Sequence, residues 1–507
     1  MSSERSSGRD DHASREDRRR WLALMVLCLG VLMIVLDTTI VNIALPSIQV
    51  ALGFSETSLV WVVNAYMLTF GGFLLLAGRL GDLFGHRRLF LLGITLFTVA
   101  SLACGLATSQ FLLIGARAVQ GLGGAVVSAV ALSLIMNLFT EPGDRAKAMG
   151  VYGFVCAGGG SIGVLLGGLL THALSWHWIF LVNLPIGVAV YALCLALLPN
   201  GTERSSKQSG KGRLDAAGAL TVTGSLVLAI YAVVNGNASG WTSTQTIGLF
   251  AAAAFLLAMF LAIEADVDTP LVPLGLFQLR NVATANVMGV LWAAAMFAWF
   301  FISALYLQRV LGYSALQVGL AFLPANVIMA IFSLGLSARI VMRHGIRRPL
   351  AFGLALAAIG LALFARAPIG GSFVVDVLPG MILLGLGAGM ALHPMLLAAM
   401  SDVAPDESGL ASGIVNTSFM MGGALGLAVL ASLASSTTDG LLANGAQSLQ
   451  ALDGGYALAS TVGAGFAAMA ALLGAVMLRP GLQAPERMTR GESDAGASLV
   501  ARSLTDT

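Results

Sequence analysis

Residues 21–45 read WLALMVLCLGVLMIVLDTTIVNIAL, an apolar run whose single ionisable residue is Asp37. At about 1.5 Å of rise per residue, a helix of this length crosses the roughly 30 Å hydrocarbon layer of a bilayer. Residues 1–20 are too polar and too charged to be a cleavable leader, and the run from Trp21 is itself long enough to span.

The same signature recurs along the chain. Runs of spanning length lie near 21–45, 57–77, 89–108, 111–138, 148–171, 178–198, 215–235, 246–264, 283–308, 315–338, 350–367, 377–399, 409–433 and 456–478. Composition agrees. Of 507 residues, 57% are hydrophobic and only 10% charged, with a mean hydropathy of +0.87, whereas a soluble domain is roughly a quarter charged. The 61 glycines fit helices packed closely in lipid. Cys28, Cys104, Cys156 and Cys194 all lie in apolar runs without metal-ligand spacing, so neither disulfides nor a metal is expected. A net charge of +2 gives no support to a nucleic-acid partner. The partner is the lipid bilayer.

Basic residues concentrate in loops on the cytoplasmic side of a membrane. With the N-terminus inside and fourteen crossings, Arg117 falls within a helix, Arg309 and Arg366 fall near external loops, and the remaining Lys and Arg are cytoplasmic. An even count with both termini cytoplasmic is therefore expected.

The chain also repeats itself. Gly78-Arg-Leu-Gly-Asp-Leu-Phe-Gly-His-Arg-Arg88 is echoed at Ser337–Arg348, with Arg79, Gly85, Arg87 and Arg88 falling on Arg339, Gly345, Arg347 and Arg348. Gln120–Gly124 is likewise echoed by Leu384–Ala388. The expected fold is an all-α polytopic membrane protein of fourteen transmembrane helices. It comprises a charged cytoplasmic tail (1–20), an N-terminal six-helix bundle (21–198), a linker (199–213), two inserted helices (214–264), a C-terminal six-helix bundle (281–478) and a cytoplasmic tail (479–507). Duplicated bundles with a site between them are the usual plan of a secondary transporter.

Charges buried in a bilayer are costly, and an ionisable residue there is a functional candidate. Among the acids, Asp37 alone lies well inside a span, with Asp215 and Asp402 at cytoplasmic ends; Arg117 and His393 are the interior base and histidine. Asp37 is eight residues before Leu45, about 12 Å from the outer end of its span, and Arg117 about 9 Å from the start of its own at Phe111. Their similar depth makes them an expected ion pair, either a structural staple or a carboxylate that titrates beside a fixed guanidinium. His393, beside Pro394, reads equally as a titrating group or a packed one. Gly78, Gly81 and Gly85 permit a tight turn and close helix approach. Asp82 is positioned to latch the two halves on the cytoplasmic side. Glycines spaced by four in 158–168 suggest close helix packing.

At these residues the sequence resembles the fourteen-helix drug:proton antiporters of the major facilitator superfamily. Leu36–Pro46 is similar to their first-helix motif, Gly78–Arg88 to the superfamily's cytoplasmic loop motif, and Arg117–Gly124 to the fourth-helix motif. Trp178–Gly187, Leu323-Pro324 and Gly409–Gly413 match further stretches. The resemblance departs at Val164, where those antiporters have Pro after Gly163. It departs again at His177, which stands for an Arg, and at Phe419-Met420, which stands for an Arg-Gln pair. It implies proton-coupled efflux of a hydrophobic or amphipathic small molecule, with Asp37 exchanging the proton and Arg117 coupling that exchange to substrate. Gly78, Arg79, Asp82, Gly85, Arg87 and Arg88 would form the cytoplasmic gate. Trp61, Asn64, Trp292, Trp299 and His393 are candidates to line the cavity. No cofactor beyond the proton gradient is implied, and a monomer is expected. A proton-coupled importer or uniporter of the same fold is the alternative. A membrane-embedded enzyme would need clustered polar residues at a membrane face, and a sensor a soluble signalling domain; the sequence displays neither.

Overall fold

The computed structural model describes residues 3–139, 141–198, 215–267, 270–332, 336–401, 403 and 408–479. They form helices and connecting turns, with no strand among them. Among the described residues, thirteen helices are long and apolar enough to cross a membrane, and the shorter apolar helix Ala315–Ile331 supplies the fourteenth span.

The first half contains α1 (Ser3–Leu52), α2 (Glu56–Phe84), α3 (His86–Gly105), α4 (Gln110–Leu138) and α5 (Pro142–Ala173), and its sixth span is broken at Val182 into α6 (Trp178–Leu181) and α7 (Asn183–Leu197). The inserted pair is α8 (Ala216–Ser239) and α9 (Thr244–Asp266). The second half contains α10 (Arg280–Arg309), α11 (Ala315–Ile331), α12 (Ser337–His344) and α13 (Arg347–Phe364), followed by α14 (Leu378–Met400), α15 (Ser408–Ala443) and α16 (Ser448–Met477). The expected linker 199–213, most of the tail 479–507 and Asp402 lie outside the described residues.

One expected boundary moves. The first span does not end at Leu45, because α1 continues through Pro46 to Leu52. An internal proline leaves a carbonyl without its helical donor, and in this turn a neighbouring carbonyl, that of Ile43, accepts from Gln308 Nε2 of α10 at 3.0 Å. Of the span expected over 315–338, α11 covers Ala315–Ile331 and α12 begins at Ser337, while residues 333–335 between them lie outside the described residues. Helix starts follow ordinary capping chemistry. Ser55, Ser109 and Ser243 each accept from a backbone N–H of the first turn, and Ser314 with Gln317 forms a capping box.

The internal repeat is carried by backbone and by packing. Gly85 and Gly345, aligned in the sequence echo, both have positive φ (90° and 74°) and both separate consecutive helices, α2 from α3 and α12 from α13. The α3–α4 seam closes where a Cβ on Gly123 would stand 2.7 Å from the Phe97 nitrogen. Its counterpart, the α13–α14 seam, closes where a Cβ on Gly387 would stand 2.5 Å from the Gly353 carbonyl oxygen. Gly159, Gly163 and Gly167 of α5 lie against Val35, Leu36 and Ile40 of α1, and Gly422 and Gly426 of α15 lie against Val290 and Ala294 of α10 in the same manner. These small residues let backbones meet where lipid offers no hydrophobic drive to association.

The bundle has two ends, named here by their residues: the Glu56 face and the loop-motif face of Gly78–Arg88. Cross-half polar contacts gather toward the Glu56 face. There Arg309 of α10 pairs with Glu56 of α2 and donates to Gln49 of α1, and Tyr456 of α16 contacts Glu56 at 3.4 Å. Gly168 of α5 packs against Ala315, Leu316 and Gly319 at the start of α11. The perimeter is apolar: Ile247, Phe255, Leu257 and Leu261 of α9, among many others, are exposed. In water such a surface would aggregate; in a bilayer it meets its own solvent.

A Cβ at Gly426 would lie 2.1 Å from the Ala294 Cβ, whereas one at Gly465 meets nothing within 4 Å. Gly426→Ala is expected to destabilise the protein by about 1–3 kcal/mol and Gly465→Ala to leave it unchanged. Thermal unfolding of the two purified variants measures the difference.

Candidate functional site

Asp37 is 0% exposed and Arg117 1% exposed. Arg117 Nη1 donates to Asp37 Oδ2 at 2.5 Å. With α1 extending to Leu52, Asp37 lies about 22 Å from that helix end, where an end at Leu45 gives about 12 Å. The pair itself forms as expected, but it is not alone.

Four further helices complete it. Gln120, one turn along α4, donates through Nε2 to Asp37 Oδ1 (2.7 Å) and to Ser101 Oγ of α3 (2.8 Å), while its Oε1 accepts from Arg117 Nη1 at 2.7 Å. Asn183, at the start of α7, donates to Asp37 Oδ1 at 3.2 Å. Arg117 Nε donates to the Val62 carbonyl of α2 at 2.9 Å. Its guanidinium lies over the Tyr66 ring, 4.4 Å from the centroid, with Phe180 at 5.7 Å. Gly121 and Gly124 make room: a Cβ on the first would stand 2.4 Å from the Tyr66 carbonyl oxygen, and on the second 2.8 Å from the Tyr66 hydroxyl.

This arrangement answers the cost of burying two charges. Desolvation of an ion pair is recovered only if the geometry is good and the remaining donors and acceptors are satisfied. Here one carboxylate oxygen takes the guanidinium and the other takes two amide donors, while a backbone carbonyl and an aromatic face occupy the rest of the cation. The whole cluster belongs to the first half. Gln120, Asn183 and Ser101 escaped a search restricted to ionisable residues. Their signal was available as amide and hydroxyl side chains within otherwise apolar runs, which also need partners in lipid.

The loop motif comprises the last turns of α2, Gly85 and the first turn of α3. Arg79 donates to the Pro270 carbonyl beyond α9, and Arg87 Nη2 donates to the Leu195 carbonyl at the end of α7 (3.3 Å). Arg347, its equivalent in the repeat, donates to the Ala475 carbonyl at the end of α16. Arg88 is exposed, Gly78 faces open space, and the side chain of Asp82 lies outside the described residues.

The cavity candidates are scattered. Trp61 is half-buried against Tyr231 of the inserted α8, with ring centroids 6.4 Å apart. Asn64 donates across the halves to the Ala424 carbonyl (2.9 Å), and its Oδ1 has no partner. Trp292 is fully buried. Trp299 packs between Phe300 and Phe322, with Nε1 unpartnered. His393 is half-buried with Nδ1 unpartnered. His177, outside the spans, stacks on Trp176, and burial pushes its imidazole below the usual histidine range. It therefore does not supply the charge of an Arg at that position.

One recess of about 490 Å³ opens at the Glu56 face, lined by Glu56, Asn237, Arg309, Thr438 and Asp439 among others. Glu264, which the sequence reading left out, is buried at 4% exposure near the end of α9, as is Asp215 at the start of α8. No group of three or more His, Cys, Asp and Glu placed to hold a metal occurs among the described residues.

Comparison with known proteins accords with this architecture. The family model described as Major Facilitator Superfamily matches residues 27–427. The puromycin resistance protein pur8 of Streptomyces alboniger is 40% identical over 464 residues, 91% of each chain. The cephamycin export protein CmcT of Amycolatopsis lactamdurans is 39% identical over 82% of this chain and 86% of its own. Among solved structures, the inward open xylose transporter XylE from E. coli superposes with a TM-score of 0.60 at 14% identity, covering 91% of this chain and 96% of that one. A family match across most of the sequence, and relatives this similar over nearly its whole length, establish that the chain belongs to the major facilitator superfamily.

Proposed function

We propose that this protein exports hydrophobic or amphipathic small molecules, antibiotics among them, from the cytoplasm in exchange for protons. The observation that carries the proposal is the fully buried Asp37, held by Arg117, Gln120 and Asn183 inside one half of a two-half transporter. The relatives named for puromycin resistance and cephamycin export support the substrate class. The gradient, rather than a cofactor, supplies the energy, and the working unit is a monomer in the cell membrane with both termini cytoplasmic.

In that orientation the Glu56 face is external. The structure then corresponds to a state closed outside by Arg309, Glu56, Gln49 and Tyr456. Substrate would enter from the cytoplasm and bind between the halves, with Asn64, Trp61, Trp292, Trp299 and His393 as lining candidates. Gly78, Arg79, Asp82, Gly85, Arg87 and Arg88 would gate the cytoplasmic side in the opposite state. Protonation of Asp37 from outside removes the charge that Arg117 and the two amides hold. The cluster then loses its central acceptor, and the change at α1 and α4 favours a different packing of the half. Return to the closed-outside state delivers the proton inward.

Extrusion under an imposed pH gradient in proteoliposomes tests this reading. Asp37→Asn is expected to reduce proton-driven extrusion to background while expression persists, and full wild-type coupling would remove Asp37 from the mechanism. Uptake rather than extrusion in inverted vesicles separates export from import.

Arg117→Ala leaves a buried carboxylate without its cation and is expected to cost about 3–5 kcal/mol of stability together with transport. Arg117→Lys, lacking the planar fork that reaches Asp37, Gln120 and Val62 together, should restore only part of either. Thermal unfolding and transport of the same preparations measure both.

Glu56→Gln removes the partner of Arg309 and should shift the resting population toward the outward-open state. Modification of a single cysteine placed at Asn64, by a membrane-impermeant thiol reagent added outside, is expected to accelerate several-fold relative to the same reporter with Glu56 intact.

A further inference from the structure

The inserted pair α8–α9 carries two acids that the Asp37 cluster does not use. Asp215 and Glu264 are each 4% exposed, and they are anchored to one place: Asp215 holds Gly218, next to Ala219, while Glu264 holds Val272, which packs in the same small core as Ala219. Each has one oxygen satisfied by backbone. Asp215 Oδ1 accepts from Gly218 N at 2.7 Å, and Glu264 Oε2 accepts from Val272 N at 3.1 Å. The other two oxygens, Asp215 Oδ2 and Glu264 Oε1, are buried with no partner. Gly218 is the residue that admits this fold-back, since a Cβ there would stand 2.3 Å from Asp215 Oδ2.

The surroundings are apolar. Leu76 of α2, Ala219 of α8 and Leu271 form a small separate core, joined by Leu80 and Val272. The charged groups near the pair are Arg79 of α2, which donates to the Pro270 carbonyl two residues before Val272, and the exposed Asp266 on α9. The side chain of Asp82, and Asp268, lie outside the described residues. Two ionised carboxylates in this setting would repel each other and leave two buried acceptors unmet. One proton shared between them cures both faults, because it converts the two orphan oxygens into donor and acceptor of a single hydrogen bond.

We infer that Asp215 and Glu264 together hold one exchangeable proton, forming a second protonation site that fastens the inserted helix pair to the loop motif. The fastening runs through a short connector. Glu264 accepts from Val272 and Arg79 donates to Pro270, so the segment leading from α9 into the second half is gripped from both sides. Loss of the proton sets two negative charges against each other and loosens that grip, making the state closed at the Glu56 face sensitive to pH at the loop-motif face. Proton binding here is independent of the export reading; only its effect on transport rests on it.

The direct test is infrared difference spectroscopy of the full-length protein in lipid, titrated through the neutral range, reading the C=O stretch of a protonated carboxyl and its shift in D2O. Wild type is expected to show such a band disappearing as pH rises. Glu264→Gln keeps the shape and supplies an amide donor to Asp215, and it should lack the band. Asp215→Asn, still a capable helix cap, should lack it as well, whereas Asp37→Asn should retain it. In transport at a fixed pH difference, wild-type rate should vary several-fold with absolute pH on the loop-motif side, and Glu264→Gln should flatten that dependence. Absence of the band in wild type, or its persistence in both carboxyl variants, overturns the proposal. A band abolished by sodium at constant pH would assign a metal cation to the pair and overturn it equally.

Discussion

Everything in this protein is arranged around the cost of a carboxylate in hydrocarbon. A lone ionised Asp37 buried inside an apolar span would be costly, and the first half is shaped to make it tolerable. Helix α4 supplies the cation and an amide, α7 a second amide, α3 a hydroxyl that holds the first amide, and α2 a carbonyl and an aromatic face. The glycines of α4 follow from the same demand, because the tyrosine covering the guanidinium fits only where no side chain competes. In the proposed mechanism one proton relaxes that constraint, after which the helices that meet at Asp37 no longer share a reason to stay where they are.

The two halves solve the same packing problem with different contents. Their glycine seams match pairwise, and so do the positive-φ glycines before α3 and α13 and the arginines that follow them. The second half, however, has Leu384 where Gln120 stands, and Ala294 where the α1 seam carries Thr39. At these two positions the common scaffold is polar in the first half and apolar in the second.

Much of this was legible in the sequence, for a physical reason. A bilayer penalises charge so heavily that the position of Asp37 and Arg117 in apolar runs already forces them to find each other, and the spacing of apolar runs fixes the helix count. What escaped is what depends on three-dimensional closure. Gln120 and Asn183 are neutral, and their role becomes visible only once Asp37 is seen to need donors. Glu264 falls at the very end of an apolar run and is not singled out by the sequence; in the structure it is buried and accepts from Val272 N in the connector beyond α9. The first apolar run ends at Leu45, yet α1 runs on through Pro46, and its turn receives a donor from α10. Trp61 has the size of a cavity-lining residue, but only the packed structure reveals that its neighbour is Tyr231 of the inserted pair.

Several of the ties described above end on backbone carbonyls rather than on side chains. Gln308 reaches Ile43, Asn64 reaches Ala424, Arg87 reaches Leu195 and Arg117 reaches Val62, each through the acceptor that every residue possesses. Such a contact does not ask what side chain the receiving residue carries. Substitutions at the receiving positions can therefore alter the shape and polarity of nearby surfaces without cutting the struts that transmit motion. A lineage built this way is free to drift in what it recognises while its machinery stays intact, and acquiring a new toxic compound requires no redesign of the engine.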